Sequence, residues 1–321
     1  MPTVGQVSFD PISVGESALL ALLFLLLAAF PGQLFNKTYE ENQEEIHGWF
    51  AGRSGALAGI SAALSGFWNK RVGIFTFVVL SALLYSFLSP SFGVDALSIA
   101  SLIGILLGLV VVILAFELPI AGAHRRLLHE RGKVRVLPMT IFVGIFCVIA
   151  SRLTDFQPGY LYGLVAGYAF ARELPDKDEA HAHVWTAVSM LTISLVSWLA
   201  MPLVDNSFSA QPLLDTLISA ALATIFVAGL EGLLFELVPL RFLRGEVVYE
   251  WRRSVWTVLF LAAAFLFVWI MLQPNSGYLG STRTSPLVPA VILFVGFGIF
   301  SVVFWAYFRF RPARTELEHI E

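Results

Sequence analysis

Apolar residues fall along this chain in long runs separated by short polar segments. The runs lie near 17–35, 72–89, 96–118, 136–152, 156–171, 184–203, 214–237, 254–272 and 286–308. A stretch of about 18 or more apolar residues is long enough to cross the hydrocarbon of a bilayer as a helix. The pattern therefore predicts an all-α polytopic membrane helix bundle, one integral domain over 1–321, with about nine transmembrane helices. The 156–171 run is conspicuously short. The apolar stretch 54–68 abuts Lys70 and Arg71 and reads as interfacial or re-entrant, inside a cytoplasmic amphipathic segment 36–71.

Charge placement gives the runs a direction. Eighteen of the twenty Lys and Arg residues fall in 36–71, 118–135, 172–183, 237–253 and 309–321, leaving only Arg152 and Arg283 elsewhere. Those segments alternate in a nine-span scheme, so the positive-inside rule predicts an N-terminus outside and a C-terminus in the cytoplasm. A re-entrant 156–171 would invert everything after it and put Arg241, Arg244, Arg252 and Arg253 outside. The run is therefore counted as a span. The N-terminal MPTVGQVSFDPISVGES has no Lys or Arg, so it lacks the positive region of a secretory signal, and the first run is read as a retained membrane helix.

The junction SRLTDFQPGYLYG, residues 151–163, interrupts two apolar runs with charge, proline and glycine. Arg152 follows Arg135 by 17 residues, about 25 Å of helix, which puts it near the outer interface. Asp155 is placed to cap the next helix, with Pro158 in its first turn. Gly159, Gly163 and Gly167 then recur every four residues, a stripe that lets helices approach closely. Two readings remain: a tight outer turn before a packed helix, or an outward pocket in which Arg152 meets an anion.

Composition narrows the class. The chain is 57% hydrophobic and 13% charged, against roughly 25% charged in soluble domains. A net charge of -3 leaves no footprint for nucleic acid, and the single cysteine, Cys147, rules out an intramolecular disulfide. The partner that composition demands is the lipid bilayer. Four glutamates within 40–45 make segment 36–46 a place where a protein partner could dock. The Asn36-Lys37-Thr38 sequon falls on the predicted cytoplasmic side and is read as a chance match.

Charges inside spans are costly and mark candidate sites. Glu231 stands ten residues before Arg241, about 15 Å by helical rise and so near the bilayer midplane. Glu117 and Glu236 lie nearer the cytoplasmic face beside prolines, where they either snorkel, pair with nearby arginines, or serve a site. AFELPIAGAHRRLLHERG (115–132) and LFELVPLRFLRGE (234–246) share Phe-Glu-Leu, a proline and an arginine cluster. Glu117 and Glu236 are 119 residues and four spans apart, as in a parallel repeat of the transporter kind.

Enzyme signatures are absent: no HExxH, GxSxG or P-loop occurs, and no cofactor or metal is called for. His181 and His183, in ELPDKDEAHAH, read as solvated loop histidines. Gly296 and Gly298 suit helix packing. Two roles stand ahead: a transporter- or channel-like protein using Glu231, and an assembly component of an envelope complex. A lipid-active enzyme using Glu231 or Asp155 stands third, without motif support.

LFELVPLRFLRGEVVYEWRRSVW, with SRLTDFQPGYLYGLVAG and FPGQLFNKTYEENQEEI, resembles actinobacterial integral membrane proteins called FGLLP-motif-containing. Phe235-Glu236-Leu237-Val238-Pro239 stands where that motif falls, with Glu236 replacing its glycine and Val238 a leucine. The resemblance spans most of the chain. It implies a bacterial plasma-membrane protein of this topology and brings no activity with it.

Overall fold

The structure, a computed structural model, describes residues 2–51, 68, 70–89, 92–130, 132–136, 139–153, 166–170, 172, 174–208, 210–272 and 287–310. Asp155, Gly159, Gly163 and nearly all of 54–68 lie outside these residues. The helices are α1 (Pro11–Glu41), α2 (Gln43–Ala51), α3 (Arg71–Ser86), α4 (Ala96–Leu127), α5 (Met139–Leu153), α6 (Asp176–Phe208), α7 (Pro212–Glu236), α8 (Arg244–Trp251), α9 (Arg253–Leu266) and α10 (Leu287–Phe310). A π-helical turn, Phe267–Met271, extends α9. Strands β1 (Lys133–Val136) and β2 (Ala166–Ala169) form one short antiparallel pair.

Five helices are long and apolar enough to cross a membrane: α1, α4, α6 to Val204, α7, and α9 with its π turn. α3 and the apolar stretches Thr140–Ile149 of α5 and Phe294–Phe310 of α10 are shorter. Helix starts follow the sequence chemistry. The Ile12 amide donates to Asp10 at 3.2 Å with Pro11 in the first turn, and the Ser98 amide donates to Asp95 at 2.9 Å. α1 and α4 run 31 and 32 residues, so each overshoots the roughly 30 Å hydrocarbon core.

The short run 156–171 departs from expectation. Its described part, Ala166–Ala169, is a strand in which Gly167 pairs opposite Arg135, so no helical glycine stripe reaches Gly167. A short run rich in glycine and aromatics carries little helix propensity, and periodicity cannot separate it from a strand. Because β2 pairs with β1, the chain at Ala166 is back at the end where α5 begins.

α7 is the central element. It packs along α4 on one side and α6 on the other, and Ile225, Phe226, Leu230, Leu233 and Leu234 are buried between them. α1 packs on α10 and α9, with Phe24 stacked on Phe294 at 4.6 Å. α3 packs on α4, and α5 packs on α3. The outer faces are apolar: Leu19, Leu26 and Phe30 on α1, Ile99, Ile103 and Leu107 on α4, and Ile299, Phe300 and Val303 on α10 are all exposed. A soluble protein rarely leaves such stripes open, whereas hydrocarbon matches them. The chain is a membrane-embedded helical protein.

Candidate functional site

Two helices approach unusually closely. A Cβ at Gly104 would collide with the Leu217 carbonyl and come within 2.9 Å of Ala220, and one at Gly108 would lie 2.7 Å from Thr224. Near the other end, Gly232 faces Phe116. Contacts that advance together along both chains mean that α4 and α7 run parallel. α6 packs antiparallel against α7, with Gly229 seated on Met190 and Ser194.

This parallel pair carries the two Phe-Glu-Leu segments to one place. Arg244, first residue of α8, donates from Nη2 to Glu117 and lies 3.1 Å from Glu236 through Nε. Burial works against the Arg244 charge, but the Glu236 and Glu117 carboxylates more than offset it and hold the guanidinium above its usual pKa. Its Nη1 also reaches the Phe116 carbonyl at 3.3 Å. That carbonyl stands beside Pro119, inside α4, whose ring nitrogen cannot donate back to Ala115. Thr186 and Ser189 of α6 stand 3.3 and 3.4 Å from the Phe116 and Ala115 oxygens, so the carbonyl freed by Pro119 and its neighbour are met by polar groups from outside. Gly245 lets α8 dock here, because a Cβ there would collide with the Leu237 carbonyl at the end of α7.

The cluster forms one wall of a cavity of about 380 Å³ at this end of the bundle. Arg172, Arg241, His124 and His183 also line it, along with Glu179 and an apolar side that includes Phe170 and Phe242. His124 is buried, stacks on Phe170 at 3.5 Å, and has its ring nitrogens 3.1 Å and 3.2 Å from the Ile120 and Arg172 carbonyls. It thereby ties the segment carrying Arg172 to α4. His183 is 8% exposed, with Nε2 3.5 Å from Glu179. Its Nδ1 is buried without a hydrogen-bond partner among the described residues.

A second polar network joins α1 to the α7–α8 connection. Buried Asn36 donates to the Pro239 carbonyl at 3.0 Å and to Glu246 at 2.8 Å, and accepts from the Arg241 amide at 3.1 Å. Glu40 pairs with Arg241 at 2.6 Å. Burial, then the nearby Glu250 and Glu40 charges, push the Glu246 carboxyl up to about 7, although Arg241 and Asn36 oppose them. An asparagine so enclosed is no glycan acceptor.

The sequence-derived candidates thus divide. Glu117 and Glu236 meet on Arg244. Glu231 is 2% exposed inside the bundle, within electrostatic reach of Tyr85 on α3. It is less deep than unbroken helical rise to Arg241 predicts: α7 ends at Glu236, five residues on, about 7.5 Å away. Pro239 causes this, since the helix cannot continue through it. Arg152 lies apart, donating to the Phe87 and Ser89 carbonyls at 2.9 and 3.2 Å, where it satisfies the end of α3. His181 and His183 sit in the first turns of α6 and not in a loop, and His183 is buried. The packing glycines Gly104 and Gly108 went unpredicted, although GILLG carries the four-residue spacing openly. Arg172, Arg244 and Asn36 were equally unpredicted as site residues, having no signal beyond their place in basic or acidic segments. Compared with family models, curated proteins and solved structures, the chain matches none.

Proposed function

We propose that the chain is a polytopic plasma-membrane protein of the transporter or channel type, with an N-terminus outside, a cytoplasmic C-terminus and nine crossings. Its working charges are Glu231 and the Glu117–Arg244–Glu236 cluster beside it. One observation carries this reading: two parallel helices bring matching Phe-Glu-Leu segments onto one arginine at the wall of an open cavity. Parallel paired repeats of this kind occur in membrane carriers. Parallel α4 and α7 also favour nine crossings, because without a crossing between α5 and α6 the two would oppose one another. The resemblance at Phe235–Pro239 to FGLLP-motif-containing proteins belongs to the same proposal.

The test is flux. In proteoliposomes holding the purified protein, an imposed proton or anion gradient should dissipate faster than in empty vesicles. Glu231→Gln should fold normally yet lower that flux at least tenfold, since the amide keeps shape but cannot ionise. Flux equal to that of empty vesicles, or an unaffected Glu231→Gln, would remove the reading. A second reading, an assembly component docking a partner through 36–46, is favoured by the acidic junction of α1 and α2, where Glu40, Glu41, Glu44 and Glu45 line one open recess. Co-purification of a stoichiometric partner, lost on neutralising those glutamates, would select it.

A further inference from the structure

The first residues of a chain are poorly ordered unless something ties them down. Here residues 2–10 are tied at two points by indoles. Trp198 of α6, 2% exposed, donates from Nε1 to the Pro2 carbonyl at 3.0 Å. Trp269 of the π turn donates from Nε1 to the Ser8 carbonyl at 3.0 Å, and Phe9 meets its ring edge-on at 5.0 Å. Between these points lie a 3₁₀ turn, Val4–Gln6, and Val7, which is buried in the main core. A buried indole N–H needs an acceptor, and both of these find theirs in the backbone of this one segment. The segment is a strap joining α6 to the end of α9.

The strap stands at the end of the bundle opposite Arg244. α6 starts at the cavity, where Glu179 and His183 line the wall, and Trp198 lies in its far half. α9 starts at Arg253, next to α8, and the π turn with Trp269 ends it. Such turns are rare and recur at functional sites. Beneath the strap, Trp198 stacks toward Phe226 of α7 at 6.4 Å. One turn deeper on α6, Ser194 is buried against Gly229, two residues from Glu231. The strap and its indoles thus cover this α6–α7 seam from the far end, while the cavity opens at the near end.

We propose that residues 2–10 are the outer gate of the bundle, latched by Trp198 and Trp269, and that releasing them opens the α6–α7 seam toward Glu231 from outside. The conformation described is then the inward-facing one. Carriers expose a central site to the two sides in turn, so an open cavity at one end calls for a closure at the other. Two hydrogen bonds, an aromatic edge contact and a buried valine make a latch small enough to open without unpacking a helix. The inference rests on the transport reading and its topology, but its test needs no flux.

The experiment uses the full chain in a Cys147→Ser background with one reporter thiol, Ser194→Cys, in right-side-out and inverted membrane vesicles. The probe is a charged, membrane-impermeant maleimide. With the strap latched, the thiol should react slowly from outside. Trp198→Phe combined with Trp269→Phe keeps the aromatic bulk and removes both indole donors. It should speed outside labelling roughly tenfold or more, because a buried thiol reacts only through its open fraction. Labelling in inverted vesicles should not change, which separates a gate from general loosening. If the double variant gives no single gel-filtration peak, Phe9→Ala, at an exposed position, takes its place and should give a smaller rise from outside only. Faster outside labelling without flux in proteoliposomes removes the transport reading alone. Unchanged outside labelling in the variant that folds, or a rise as large from the inverted side, would overturn the gate even where flux is found.

Discussion

Glu246 shows how a single residue reports on the packing around it. Its carboxyl is raised to about 7, above the ordinary carboxylate range, so the folded state holds its proton more tightly than the unfolded chain. The resulting stabilisation is complete below the ordinary carboxylate pKa and is lost as pH rises through about 7. The protein in detergent should therefore lose thermal stability between pH 5 and pH 8, and Glu246→Gln should flatten part of that fall. Melting curves of both proteins at the two pH values decide the matter. An identical pH dependence in wild type and variant would mean that Glu246 is not held in this network. The sequence signals the residue only as one acid in a mixed-charge stretch. Glu250, four residues on, is a local neighbour, but Glu40 and the hydrogen bond from Asn36, 210 positions away, come from α1, which no local pattern links to it.

At the scale of elements, the packing of α4 on α7 dominates. Gly108 faces Thr224 across a gap with no room for a side chain, and Gly104 is tighter still. Gly108→Leu should cost on the order of 1–3 kcal/mol through overpacking, or prevent assembly altogether. Fluorescence-detected gel filtration of the variant checks this, and an unaltered profile with unaltered melting would show that the helices stand apart. Such contacts were partly legible. Apolar runs gave the helices their places because hydrophobicity is a property of the stretch itself. Proline placed the end of α7 at Glu236, whereas α4 runs on through Pro119 to Leu127. What could not be read was pairing. The stripe ending at Gly167 and the stripe Gly104–Gly108 have equal spacing, yet Gly167 lies in a strand and the other stripe is sealed against a neighbour. Spacing states that a face is small, and only the partner helix decides whether that smallness is used.

The whole molecule is organised by direction. α6 runs against α4 and α7, while α1 runs with α10, as Phe24 beside Phe294 and Phe35 beside Phe304 require. The placement of basic residues at alternate segments implies the same sense for the third and seventh spans. The convergence of Glu117, Glu236 and Arg244, and the cavity they border, follow only if those two helices are parallel. Paired cysteines in a Cys147→Ser background test that most directly, in native membranes with a short thiol crosslinker. Phe116→Cys should crosslink to Gly232→Cys and not to Ala220→Cys, within one chain. Crosslinking of position 116 to 220 instead would make the helices antiparallel, separate the two glutamates, and contradict the account.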